Sequence, residues 1–560
     1  MGEPAVKQEN KFYNPFNFVE LSDKVFEPTW SDQISHDIPF SDSTSGIIDI
    51  GFKSVSPIMV KESKLANFQN INGKYFIPAT SIKGMIRNVL EILSLSKITT
   101  LTKNDRYSVR DLSAFNKDYT IKQNLNKIKP GLLMQIRGNY ALIECETYER
   151  LDYKDIGKIV KNPDVAHRIK NAGSVREKYK LIKENPFYYK YKDDDSAWII
   201  VMTGKMFNKK KEYGFKLPEI ISPITLEEDT IRDFLFIYEK ETSSKTWEYW
   251  KKKINSFNDV PTIREITNDM LVAPVFYYKE AGKIKHLGLT FLYREPFENS
   301  IYDLIPDAHK NFSKMDLSEA IFGRTGNENH KGRVQFSHAF FTKTNEMDKT
   351  QIVLGSPKPT FFPFYLVQNL KDKYSTFSDH NAKINGWKRY LIHKDTFNQD
   401  VAHLSPNVKT VIKPLGSDSE FTCKIRFHNL RKTELGALLS AITFHGNHDK
   451  FYHLIGMAKP LGYGKLKISE LKLSTNQPEN MVDFMVLFEQ LIVNNLFEGN
   501  FSKWADSVKS LFNFALERND GISIRYPKAF DEFKYIKQNN LDLSDFSPAP
   551  AGHSISSLSD

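Results

Sequence analysis

Three histidines fall within nine residues, His445, His448 and His453 of HGNHDKFYH. Imidazole is the side chain that exchanges protons near neutral pH and ligates metals. The spacing lets two rings meet in a loop, as zinc ligands or, through His445, as a general acid. No cysteine and no fixed helical pairing accompany them, so no metal is assigned, and a solvated loop is the competing reading. Two carboxylates, Asp105 and Asp111, sit in the polar loop NDRYSVRDLS. Aspartate in such a loop caps and turns the backbone, or serves as acid, base or metal ligand in strand cleavage. The chain contains no P-loop, dinucleotide fingerprint, serine nucleophile elbow or HExxH, and no cofactor is expected.

A second set of residues suits phosphate. In LIGMAKPLGYGKLKI, Gly456, Gly462 and Gly464 run into a strand-like KLKI, with Lys459 and Lys465 bracketing the turn and Tyr463 between the last two glycines. Glycine reaches positive φ and lets backbone N–H groups approach an anion closely. A tight helix-to-strand turn is the other reading. In YFIPATSIKGMIRNVLEILSLS, Pro78 ends a strand, Thr80 or Ser81 can cap, and Ile82, Ile86, Val89, Leu90 and Leu93 mark a helix face. Ser81, Lys83 and Arg87 fall in its first two turns, where N–H groups, helix dipole and cations would meet an anion. An ordinary capped amphipathic helix has the same pattern.

Strands and helices must place these segments. GIIDIGFKSVSPIMV, from Gly46, is β-branched and apolar, with Pro57 marking an end or edge. PGLLMQIRGNYALIEC (130–145) and VAPVFYYKEAGKIKHLGLTFLYRE (272–295) read as hairpins, MDLSEAIFG as a short helix ending at Gly323, and HKGRVQFSHAFF as a strand with Arg333 at its start. FTCKIRFHNL alternates cleanly before a helix through Leu435, Leu438, Leu439 and Ile442, and two amphipathic helices follow Leu473. The expected organisation is an N-terminal arm packing through isolated aromatics (1–45), a first core block (46–145), an irregular insertion (146–270), a second core block carrying the glycine turn (271–475), and a helical C-terminal region with a polar tail (476–560).

The excess of 78 Lys+Arg over 68 Asp+Glu, a net charge of +10, fits a polyanionic partner. Cys145 and Cys423 are the only cysteines and are far apart, which excludes a disulfide framework or cysteine zinc site and suits a reducing cytoplasm. No stretch has signal-peptide or membrane-span character, so no membrane partner is expected.

Four pieces occur in order: a strand with IPATSIKGMIRNVLE, then DLSEAIFG, then GRVQFSHAFF, then FHNLRKTELGALLSAI ending in IGMAKPLGYGK. Together, over about 46–115 and 272–475, the chain resembles the RAMP superfamily of CRISPR RNA-binding proteins, most closely the backbone-type subunits of type III effector complexes. The resemblance implies an α+β fold, an RRM-like (ferredoxin-like) core with large insertions and a helical C-terminal region. It implies a subunit that binds guide RNA by its backbone, alongside other effector subunits, so that target RNA is recognised by base pairing. It further implies RNA contacts from Ser81, Lys83, Arg87, Arg333, Lys459, Gly462, Tyr463, Gly464 and Lys465. Related subunits often cut target RNA with an Asp between the first strand and first helix; here that loop holds Glu62 and no Asp. His338 occupies a place where related subunits can carry Asp. Asp105, Asp111, His338 and His445 are therefore the catalytic candidates. An endoribonuclease for target or precursor RNA, and a protein–protein scaffold, are the alternatives.

Overall fold

The computed structural model describes residues 11–61, 66–99, 104–110, 119, 121, 124–183, 186–189, 197–204, 209–254, 256–269, 271–326, 329–355, 359–369, 373–397, 399–476, 480–548 and 555–559. The chain divides into two compact units. Unit 1 is Met1–Leu101, Leu304–Thr376 and Asn381–Asp560; unit 2 is Thr102–Asp303 and Phe377–His380.

Unit 1 contains, in chain order, β1 (Phe16–Val19), β2 (Ser43–Ser54), β3 (Lys74–Ile77), α1 (Ala79–Leu93), α2 (Leu317–Phe322), β4 (Val334–Phe336), β5 (Ala339–Lys343), β6 (Trp387–Tyr390), β7 (Glu420–Arg431), α3 (Lys432–Thr443), β8 (Lys465–Thr475), α4 (Met481–Phe497) and α5 (Phe501–Ala515). Its main sheet runs β8–β2–β7–β5–β3, with every one of these neighbours antiparallel; β4 also pairs with β7. Alternation decides which face is dry. Ile48, Ile50 and Phe52 of β2 lie opposite Ile425, Cys423 and Phe421 of β7, and all six are buried. Between them, Asp49 and Lys424 face outward as a cross-strand ion pair at 2.9 Å.

The dry face is covered by helices. The apolar stripe of α1 (Ile82, Ile86, Val89, Leu90, Leu93) and that of α3 (Leu435, Leu438, Leu439, Ile442) are buried in one core with the sheet. Helix α3 is buried on every side from Glu434 to Thr443 because α4 packs on its remaining flank. The N-terminal aromatics do more than decorate: Phe26 and Trp30 enter this core, and β1 pairs antiparallel with β6.

In unit 2, strands Ile128–Ile136 and Asn139–Glu144 form the first expected hairpin, and Ala273–Glu280 and Lys283–Gly288 the second. The two hairpins join each other, Leu133 opposite Ala273, in a six-stranded sheet, beside a four-stranded sheet of Phe187–Tyr189, Ala197–Val201, Lys211–Lys216 and Thr147–Asp152. This moves the expected division. An insertion at 146–270 would leave each hairpin in the core sheet, whereas their mutual pairing and a shared core around Trp247, Trp250 and Tyr277 put 102–303 together. Among the described residues, no helix is long and apolar enough to cross a membrane.

Candidate nucleic-acid interface

The glycine turn is built for its own backbone. Gly462 has φ +83°, and a Cβ there would lie 2.6 Å from the Asp395 carbonyl oxygen; Gly464, also at +83°, would press a Cβ onto the Ile455 carbonyl. The turn therefore needs glycine to pack against the chain, not to admit a ligand at those two positions. Tyr463 is buried, and so is Lys465, whose ammonium donates to Glu517 Oε2 at 2.6 Å and to the carbonyls of His393 and Lys394. Lys459 differs. It is half-buried and has no acidic partner among the described residues; burial, and the charge of Arg389, pull its ammonium below the ordinary value.

Helix α1 presents two faces. Toward α2, Lys83 donates to the Phe322 carbonyl at 3.0 Å and lies over the Phe322 ring, while Arg87 lies over the same ring and pairs with Glu91 at 2.8 Å. Burial and the Arg87 charge both lower the Lys83 ammonium. The helix is capped neither by Thr80 nor by Ser81: Pro78 is the N-cap, and the first N–H, of Ala79, donates to His338 Nδ1 at 3.1 Å. His338 thus occupies the place expected for an anion. Accepting a backbone N–H and packing on Phe76 and Phe340 gives this exposed ring a structural task.

On the flank of α1 away from Phe322 lies half-buried Asn88, two turns after Ser81, whose Oδ1 accepts from Arg389 Nη1 of β6 at 2.7 Å. Burial pulls the Arg389 guanidinium down to about 10, which leaves it charged at neutral pH. It too has no acidic partner among the described residues. Arg389 joins the two segments singled out in the sequence: it is bonded to α1, and its charge lowers the Lys459 ammonium. On the opposite side of β6, Lys388 donates to Tyr365 Oη at 2.8 Å and lies 3.8 Å from the centroid of the Phe16 ring; burial lowers it to about 8. Two half-buried cations without carboxylate partners among the described residues, one bonded to Asn88 and the other in the glycine turn, suit an anionic ligand. Sequence reading passes over Arg389 because GWKRYLIH reads only as a strand; its basic pair between aromatics is the cue.

Other expected residues go elsewhere. Arg333 is fully buried, doubly bonded to Glu434 at 2.5 and 2.9 Å and to the carbonyls of Ala320 and Asn429, so it ties β4, α2, β7 and α3 together instead of reaching RNA. His445 is buried between Ser440 Oγ (3.0 Å) and Glu489 Oε2 (2.9 Å), and His453 Nε2 donates to the Ile442 carbonyl at 2.8 Å. The histidine cluster does not converge, and among the described residues no group of three or more His, Cys, Asp or Glu gathers to hold a metal. Burial opposes ionisation of Glu489, yet hydrogen bonds from His445, the Leu558 N–H, Ser557 and Ser559 hold its carboxyl down at about 2. Asp105, in unit 2, pairs with Lys240 at 3.6 Å. Asp111 and Glu62 lie outside the described residues.

A family model described as the RAMP superfamily matches residues 52–467. No curated protein matches the chain. Among solved structures the chain is similar to one titled "CRISPR RNA-guided surveillance complex, pre-nicking", at 10% identity over 88% of this chain and 99% of that one, TM-score 0.22. It is similar also to one titled "Cryo-EM structure of the Type III-B Cmr-beta bound to cognate target RNA", at 10% identity over 77% of this chain and 98% of that one, TM-score 0.19.

Proposed function

The chain belongs to the RAMP superfamily, and from that premise we propose that it is a guide-RNA-binding subunit of a type III CRISPR ribonucleoprotein that takes part in target-RNA recognition. The carrying observation is the Arg389–Lys459 pair, two half-buried cations without carboxylate partners among the described residues, positioned by Asn88 of α1 and by the glycine turn. Partial burial makes such charges strong phosphate ligands because little water competes for them. Contacts of this kind read sugar and phosphate and leave bases free to pair, which a subunit accepting any guide requires. The sheet order β8–β2–β7–β5, with α1 between β2 and β5 in sequence and α3 between β7 and β8, supports an RRM-like (ferredoxin-like) β-α-β-β-α-β core for this role.

The interface expected from sequence is narrower in this reading. Ser81 and Asn88, on one flank of α1, supply one wall of the track and Lys459 the other, whereas Lys83 and Arg87 on the flank facing α2, with Arg333, Tyr463 and Lys465, hold the scaffold that aims them.

Binding of a fluorescent guide-like RNA to the full chain, followed by anisotropy at several salt concentrations, tests it. Arg389→Ala combined with Lys459→Ala is expected to weaken binding at least tenfold. It should also reduce the slope of log affinity against log salt by about 1.4, roughly 0.7 for each phosphate no longer neutralised. An unchanged affinity and slope would remove the proposal.

A further inference from the structure

Unit 2 has a cationic groove of its own. A cavity of about 790 Å³ is lined by Arg110, Arg150, Lys209, Lys210, Lys211 and Arg294, with no acidic side chain in its wall among the described residues. A second cavity, of about 470 Å³, shares Gly204 and Thr246 with the first and adds Arg176, Lys245, Lys252 and Lys253 against the single acid Glu248. The two cavities therefore adjoin, with cations lining both.

The imbalance of charge is built in below the surface. Glu212 is fully buried and accepts from both Lys178 and Lys209, each at 2.6 Å, so two ammoniums share one carboxylate at the base of the larger cavity. Lys209 also donates to Thr203 Oγ1 at 2.6 Å, fixing its position at that wall. Lys211 pairs with Asp152 at 3.5 Å and Arg294 with Glu241 at 3.7 Å, whereas Arg110, Arg150 and Lys210 have no acidic partner among the described residues, and neither have Arg176, Lys245 and Lys252 in the second cavity. Like charges gathered without counter-charge repel one another, and a polyanion relieves that repulsion.

The larger cavity also has an aromatic floor. The rings of Tyr213 and Phe291 stack at 6.3 Å and 26°, and the Arg150 guanidinium sits 5.9 Å from the Phe291 centroid. The hydroxyl-bearing side chains of Thr242, Ser244 and Thr246 line the same wall. Phe291 is buried against Tyr148 and Phe276, which leaves Tyr213 as the more exposed ring; an aromatic ring among cations is the arrangement that holds a single strand. A lone phosphate would need only one of the cavities; a strand explains why both carry cations and why they adjoin.

We propose that unit 2 binds single-stranded RNA along these two adjoining cavities, as a site separate from the Arg389–Lys459 cluster and independent of it. The test uses the full chain and a fluorescent oligouridylate of about twelve nucleotides, within the range one such groove accommodates. Arg150→Glu with Lys210→Glu alters the larger cavity, and Arg176→Glu with Lys252→Glu the smaller; all four side chains are exposed, so the fold should tolerate them.

Each pair is expected to weaken binding at least tenfold in the Arg389→Ala, Lys459→Ala background, where the other site no longer retains the probe. Photo-crosslinking of thiouridine-containing RNA to the unaltered chain should label peptides around Tyr213 and Tyr249. Unchanged affinity in both pairs together with no crosslink in unit 2 would overturn the proposal, whatever happens at Arg389. So would competition by a mononucleotide as effective as that by the oligonucleotide, since that outcome describes a one-phosphate pocket. Loss of binding in the Arg389 and Lys459 variants bears on the other site alone.

Discussion

At the scale of single residues, burial decides which charged groups work on ligands and which on the fold. Arg333 and Glu434 are both at 0% side-chain exposure, and Glu434 also accepts from Trp30 Nε1 and from the Arg431 N–H. Arg333→Met strands that carboxylate and is expected to cost about 3–5 kcal/mol, while Arg333→Met with Glu434→Gln costs less because no bare charge is left behind. Urea unfolding of the two variants gives the comparison. His453 behaves differently. Burial, with the Arg389 charge as a lesser cause, holds its imidazole down at about 4, against an ordinary 6.5. The folded ring stays neutral while an unfolded one takes a proton, so its contribution is complete above about pH 6.5 and is lost as pH falls toward 4. Between pH 7 and 5 that loss is about 2 kcal/mol. Unfolding free energies from urea titration of the natural protein should fall by this amount more than those of His453→Gln, and equal falls would contradict the assignment.

At the scale of elements, the glycine turn shows how one pattern serves two ends. Positive φ at Gly462 and Gly464 is used to bring the strand start against Ile455 and Asp395, and Lys459 lies in the same turn. Gly464→Ala is expected to destabilise by more than the ~1–2 kcal/mol of a left-handed side chain, since its Cβ also meets the Ile455 carbonyl. Thermal unfolding measures that destabilisation. The same variant should bind RNA more weakly in its folded fraction, beyond what the melting shift explains, because Lys459 moves with the turn. Helix α1 makes the same point, with a ring at its N-terminus where an anion was expected and with Asn88 on another flank bonded to Arg389.

At the scale of the whole molecule, both described ends of the chain are tied into unit 1. Strand Phe12–Tyr13 pairs in parallel with Ser523–Ile524, and Ser557, Leu558 and Ser559 converge on Glu489 of α4 while Ile555 is buried. Ending the chain at Pro548 removes three of the donors that satisfy a buried carboxylate. Loss of those bonds is expected to cost about 1–3 kcal/mol and lower Tm by several degrees. A calorimetric scan showing no shift would mean the tail contributes nothing to unit 1.

Much of this protein was legible in its sequence. The alternation of FTCKIRFHNL and of the strand from Gly46, the stripes of α1 and α3, the short helix stopped by Gly323 and the two hairpins all appear as read, since each is set by neighbours within a few residues. The order of motifs was enough to indicate the family. Which of the cations would be free was not legible, because Lys465 and Lys459 look alike six residues apart and differ only in whether Glu517 lies within reach. Nor could periodicity tell that the hairpins at 130 and 272 pair with each other, or that Arg389, three hundred residues beyond Asn88, completes the site. Local propensity acts through the chain's own bonds; partnership, burial and charge compensation depend on distant segments, and only the tertiary structure brings those together.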